Sequence, residues 1–313
     1  MRRYIIRRLL LLLPTLLLVS LMVFCIVRII PGDAVALMVA EMGFADDEAE
    51  LRTLLGLDQP LIKQYAAYMG KALRGDLGIS LWSGETVLKE IGRRLPLTFR
   101  LALMALFWTL LTGVPLGVFS ALKQDTWLDY LLRSVSVGGL SVPSFWLATL
   151  IMVFGAIWFQ WVPPIDFIPF SQDPLGSLAQ LVAPSLILSV ALSAGIMRMT
   201  RTMMLEIMRE DYIRTARAKG LSEWVVVIRH ALANSLIPVL SIMGIQLAYL
   251  VGGTVIMESI FVLPGMGKYL LDAITWRDYP VIQGINLFIC TSIICINLAI
   301  DLLYGVLDPR IRY

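Results

Sequence analysis

Few residues in this 313-residue chain have the types and spacing that chemistry requires. The run Gly265-Met266-Gly267-Lys268-Tyr269 comes nearest to a phosphate-binding loop. Tyr269 stands where Ser or Thr must reach the metal, and Val262 where the first Gly must turn the chain. No nucleotide site, and no cofactor on this chain, is therefore expected. The single histidine, His230, lies beside Arg229, and none of its neighbours could complete a proton relay or metal site, so it reads as a helix-surface or contact residue. Cys25, Cys290 and Cys295 all fall in apolar runs with no pairing or metal spacing, which makes them small packing residues.

Acids at membrane depth are the other candidates. Asp301 follows Asn297 by one turn of the same apolar stretch, on one helix face. Intramembrane polar groups usually face a bundle interior or a water-filled path, so both are candidate pathway residues. Asp301 also lies near the end of its stretch, where pairing with Arg310 is the stronger reading. Glu258 follows Gly252-Gly253 and is a candidate at the outer mouth, against the alternative of a solvated helix-end carboxylate. A stand-alone ion-coupled carrier needs paired intramembrane ionisable groups, and a membrane-embedded enzyme needs a nucleophile, metal or acid constellation. Neither is offered.

The elements that position these residues are membrane helices. Hydrophobic residues make up 58% of the chain and charged ones 16%, against about 25% charged in soluble domains. Mean hydropathy is +0.80. A crossing helix needs about 20 mostly apolar residues. Six stretches qualify: Leu9–Ile30, Phe99–Ala121, Val137–Trp161, Leu178–Ile196, Leu236–Met257 and Ile282–Leu303. The first follows Arg2, Arg3, Arg7 and Arg8, is too long for a signal peptide and lacks a cleavage site, so it reads as a retained crossing.

With the N-terminus inside, the cytoplasmic pieces hold those arginines, Lys123, Arg133, the Arg198–Arg229 cluster, Arg310 and Arg312, while Asp46, Asp47, Glu48 and Glu50 fall outside. Both termini are then cytoplasmic. The chain is expected to divide into a first crossing (1–30), an extracytoplasmic segment (31–97), a helical membrane core (98–304) and a tail (305–313). In the outer segment, Asp46–Leu55 and Leu61–Leu73 read as short helices of a small cap, with a turn at Gly75–Gly78. Val162–Gly176 carries four prolines and is expected to be extended.

The most informative stretch is Arg198–Pro238, a long cytoplasmic connection whose coupling portion spans 205–235. The fourth helix is expected to run out of the membrane through Arg198 and Arg201. Glu210–Lys219 reads as helix, stopped by Gly220 in a left-handed cap. Ser222 then caps a second short helix, Glu223–Ala233, and Pro238 opens the fifth crossing. Small residues at Ala216 and Ala218 between Arg, Lys and Glu side chains fit a docking site for a cytoplasmic partner.

This segment resembles the coupling motif of ABC-importer permeases, in which an EAA-type run precedes Gly by three residues; the matching positions are Arg214-Thr215-Ala216 and Gly220. Arg214 replaces the usual Glu, and Ala233 stands where many families have Pro. Both departures are those of the dipeptide/oligopeptide/nickel branch. Pro31-Gly32-Asp33, Leu55–Leu61, Arg74–Gly78, Ser141–Leu147, Pro264–Gly267, Arg277–Pro280 and Asp308–Tyr313 resemble that branch along the rest of the chain. The resemblance implies an all-α, type I ABC-importer bundle of six transmembrane helices in the bacterial inner membrane. It also implies a second homologous permease, two cytoplasmic ABC ATPases and an extracytoplasmic solute-binding protein. On that basis Asp211, Tyr212, Arg214, Thr215, Ala216, Ala218, Lys219 and Gly220 are expected to couple the chain to an ATPase. Di- or oligopeptides are the expected solutes, with nickel and glutathione as alternatives.

Overall fold

The computed structural model describes residues 2–29, 52–53, 58–164 and 166–307. In chain order the main helices are α1 (Arg2–Ile29), α2 (Leu61–Ala72), α3 (Val87–Leu122), α4 (Trp127–Ser141), α5 (Ser144–Phe159) and α6 (Pro174–Ile207). They are followed by α7 (Asp211–Ala218), α8 (Ala233–Ile260), α9 (Met266–Thr275) and α10 (Tyr279–Leu307). Among the described residues the only β pairing is one isolated bridge, Ile79 to Thr86. The expected all-α class holds. The helix expected over Asp46–Leu55 lies almost wholly outside the described residues, as do the side chain of Asp301 and the 308–313 end of the tail.

Among the described residues four helices are long and apolar enough to cross a membrane: α1 over Leu10–Arg28, α3, α6, and α10 over Tyr279–Ile300. The expected third crossing is instead a bent pair, with α4 and α5 meeting at 93°. Pro143 is the cause. It has no N–H to donate and pushes Val142 before it into extended backbone (ψ 118°), so the α4 ladder stops at Ser141. The 16 residues of α5 span only ~24 Å, short of a ~30 Å hydrocarbon core. The expected fifth crossing is bent by 43° between Leu250 and Thr254, at the Gly252-Gly253 pair. Counting each bent pair as one span brings the total to six.

The chain forms two compact units, residues 1–98 with 264–298, and residues 99–263 with 299–313. In the first unit, α1 buries Phe24 and Val27 while Leu10, Leu13 and Leu17 stay exposed, as a membrane helix must leave its outer stripe. Phe24 meets the Tyr65 ring edge-on at 5.4 Å, and Ser20 Oγ lies 2.8 Å from the Tyr65 hydroxyl, which ties α2 to α1. The loop before α3 is clasped to the α9–α10 turn. Ser80 Oγ donates to Asp278 Oδ2 at 2.6 Å, and the Trp82 indole N–H donates to Trp276 O at 2.8 Å.

Burial pushes the Asp278 carboxyl up from its ordinary value despite the hydrogen bonds it accepts. An acid held protonated more tightly in the folded state loses stability as pH rises, from its unfolded value near ~4 through its folded value. The wild-type unfolding midpoint should therefore fall over that window. Asp278→Asn should flatten the profile there, and an unchanged slope in a thermal-melt series would contradict this.

In the second unit α6 is central, packed by α4, α5 and α8. Its start is set by Asp173, whose carboxylate accepts from Leu175 N, with Pro174 opening the first turn. The α3 backbone meets α6 through glycines. A Cβ on Gly117 would lie 2.6 Å from Thr200 Cβ, and one on Gly113 would lie 2.9 Å from Ser193 O. The segment before α6 is non-helical, as its prolines require. It turns at Pro169, whose carbonyl accepts from Gln172 N at 3.0 Å, and residues 174–176, expected to be extended, already belong to α6.

Candidate functional site

Helix α7, about two turns long, is amphipathic, with one face anchored and one free. Ile213 and Ala216 are buried in a cluster with Ala121, Met204, Val226, Val227 and Ala231. Asp211, Tyr212, Arg214, Thr215, Ala218 and Lys219 are exposed. The helix ends as the sequence predicts: Leu221 N donates to Ala216 O and Gly220 N to Arg217 O, with Gly220 at φ +76°. This is a Schellman cap whose left-handed residue strains any side chain, although a Cβ on Gly220 would meet nothing within 4 Å.

Polar contacts hold the exposed face in shape. Asp211 pairs with Arg214 one turn on. Arg217 Nε donates to Glu223 Oε1 at 2.7 Å across the Gly220 turn, and Asn234 Nδ2 reaches the Tyr212 hydroxyl at 3.3 Å. Two expectations change. Ala216 faces inward, so it anchors α7 to its own unit rather than admitting an approaching surface; Ala218 is the small residue on the open face. The second short helix is not separate. Glu223–Val225 passes through a π-helical stretch, Val226–Leu232, directly into α8. Ser222 stands at its N-cap position without a side-chain capping bond, and Pro238 lies inside α8 rather than opening it. A π stretch carries an extra residue per turn and is a common device at functional sites. His230 lies in this stretch, where its carbonyl accepts from Asn234 Nδ2 at 2.7 Å.

The sequence reading missed the polar anchor of this end of the second unit. Asp129, fully buried near the start of α4, accepts from Arg201 Nε and Nη2 at 2.8 and 2.7 Å. It also accepts from Ser120 Oγ at 2.5 Å and Asp125 N at 3.1 Å. One carboxylate thus joins α3, α4 and α6. Arg201 is visible in the sequence as a charge on an emerging helix, but its partner lies 72 residues away. No local spacing signals such a pair.

The pathway candidates fall in different settings. Glu258 is fully buried and has an interaction partner, so it is not a solvated helix-end carboxylate. Asn297 is exposed on α10.

The description "binding-protein-dependent transport system inner membrane component" matches residues 113–313, and that of the same system's N-terminal membrane component matches residues 1–102. The chain belongs to this family. A relative from Brucella abortus (strain 2308) is 40% identical over 96% of both chains. The dipeptide transport system permease protein DppB of Alkalihalophilus pseudofirmus is 39% identical across all of both chains. The glutathione transport system permease protein GsiC of Escherichia coli O6:H1 is 39% identical, again across all of both chains. In fold, the inward-facing MetNI methionine ABC transporter superposes with a TM-score of 0.56 at 19% identity, covering 70% of this chain and 96% of that one. The resemblance read from the α7 motif and the flanking runs is therefore correct at family level. This inner membrane component has the helical fold of an importer permease, with α7 as its exposed, capped, charged helix.

Proposed function

We propose that this inner membrane component is one permease of an ATP-driven importer for short peptides, working by alternating access. Full-length identity of 39% to permeases named for dipeptide and for glutathione transport carries the solute class, because both names denote short peptides. In this reading a second permease completes the pathway, two cytoplasmic ATPases hydrolyse ATP, and a binding protein delivers solute to the outer face. Both termini are cytoplasmic. The free face of α7, with Asp211, Tyr212, Arg214, Thr215, Ala218, Lys219 and the Gly220 cap, docks on an ATPase. Closure of the ATPase pair then shifts the permease between states only if the docked contacts differ between them.

The exposed face of α7 allows docking to be tested without disturbing the core. Ala218→Arg places a long cation on that face and leaves Ile213 and Ala216 packed, so membrane insertion and thermal stability should match wild type. ATP-dependent uptake of labelled di- and tripeptides should fall about tenfold or more, the loss that ~1.4 kcal/mol of coupling represents. Normal uptake by Ala218→Arg would remove α7 as the docking element. Uptake of nickel but of no peptide, by wild type, would move the solute to the metal alternative.

A further inference from the structure

We infer that a cavity inside the first unit, walled by the end of α1, by α2 and by the start of α10, binds a short zwitterionic peptide by its carboxylate end. The inference rests on the peptide reading above and adds a site to it. The cavity is half open to the surface and holds about 700 Å³, within the size range of small-ligand sites. Three of its lining groups, Arg28 Nε, the Tyr68 hydroxyl and Gln283 Nε2, are buried yet have no hydrogen-bond partner among the described residues. Buried polar atoms are almost always paired, so three unpaired ones on residues that line one cavity set this wall apart, although the atoms themselves lie behind its surface.

The chemistry of the ligand follows from the donors. The Arg28 guanidinium lies near two rings, 5.2 Å from the Phe24 centroid and 5.6 Å from that of Tyr279. Cation–π contact with both rings keeps the guanidinium at this wall, and its fork of donors suits two-point recognition of a carboxylate. Burial pushes the Tyr68 hydroxyl up to about 12, so it remains a proton donor across the physiological range. Lys63 and Lys71, both exposed, add positive charge among the lining residues. Among the described residues one acid lines the same cavity, Asp76, whose Oδ1 accepts from Gly78 N at 2.9 Å. A cationic donor cluster, a single carboxylate and aromatic walls together match a small molecule with an anionic end, a cationic end and an apolar middle. A lipid phosphate would use the donors but not the acid.

The test uses the assembled transporter, purified with its ATPases but without its binding protein, in neutral-lipid nanodiscs. Trialanine, trialanine amide and N-acetyl-trialanine are titrated by calorimetry. The free acid should bind, and the amide should bind about tenfold or more weakly. Arg28→Gln should lose binding, and Arg28→Lys should not restore it. Because Arg28 also packs on two rings, the exposed pair Lys63→Gln with Lys71→Gln serves as the second variant. It should weaken the free acid severalfold while leaving the melting midpoint and the affinity for the amide unchanged. Equal affinity for acid and amide, or wild-type binding by both variants, overturns the site. Displacement of the peptide by phosphatidylglycerol nanodiscs but not by glycylglycine assigns the cavity to lipid instead. Peptide uptake in cells without carboxylate-dependent binding removes only the site. Absence of any peptide uptake by wild type removes the reading beneath it.

Discussion

Asp129→Ala should leave little folded permease. Its carboxylate is fully buried and takes both Arg201 donors, so truncation strands a guanidinium whose side chain is only 15% exposed. Breaking a buried pair from one side costs about 3–5 kcal/mol, a large share of the ~5–15 kcal/mol that holds a protein folded. The Ser120 hydroxyl and Asp125 N–H lose their acceptor as well. Arg133 is a poor substitute partner for the site, because it is a second cation at 4.0 Å from Asp129. The expected result is a much reduced monodisperse fraction in detergent, a lowered melting midpoint and no uptake. Asp129→Asn keeps acceptor capacity toward Ser120 and should lie between. The double variant Asp129→Ala with Arg201→Met removes both charges and should recover much of the loss, since the penalty is the unpaired charge rather than the missing attraction. A melting midpoint for Asp129→Ala equal to wild type would show that the pair carries no stability.

Gly117→Leu should be comparably damaging, for a steric reason. The first added carbon would sit 2.6 Å from Thr200 Cβ and 2.7 Å from Met197 O, and the second of these is backbone that cannot rotate away. Even Gly117→Ala must push α3 from α6. Ala gains up to ~1 kcal/mol over Gly in helix propensity, but overpacking costs ~1–3 kcal/mol, so a net loss is expected. Leu adds three more carbons to a space that has none. Gly138 is the control: a Cβ there meets nothing within 4 Å, so Gly138→Ala should be neutral or slightly stabilising. Melting curves of the three variants decide it. Equal tolerance at positions 117 and 138 would mean that α3 and α6 are not held at this distance.

Local chemistry explains why much of α7 was legible before the structure. Gly220 stops a helix because left-handed backbone strains every residue with a Cβ, and that preference is written in one position. Leu61 through Ala72 is local in the same sense, whereas Pro174, read as part of an extended loop, opens α6. The class of the protein was legible too, since a bilayer demands length and apolarity of each segment by itself. Pro143 was equally visible, but an apolar average taken across it concealed its effect, which is to break the third crossing into two helices at 93°.

By itself, then, the sequence determined a helical membrane protein of the importer-permease family and the capped helix α7 with its Gly220 stop. Each of these depends on residues within a few positions of one another. The tertiary structure decided which face of α7 is free, because whether Ala216 or Ala218 is buried depends on Met204, Val226 and Ala231 arriving beside it. It also decided that Asp129 meets Arg201, that Glu258 is buried, and that Arg28, Tyr68 and Gln283 converge on one cavity. Those pairings link positions tens to hundreds of residues apart, where no helical period or turn preference reaches, and only the packing of whole helices brings them within hydrogen-bonding distance or onto one wall.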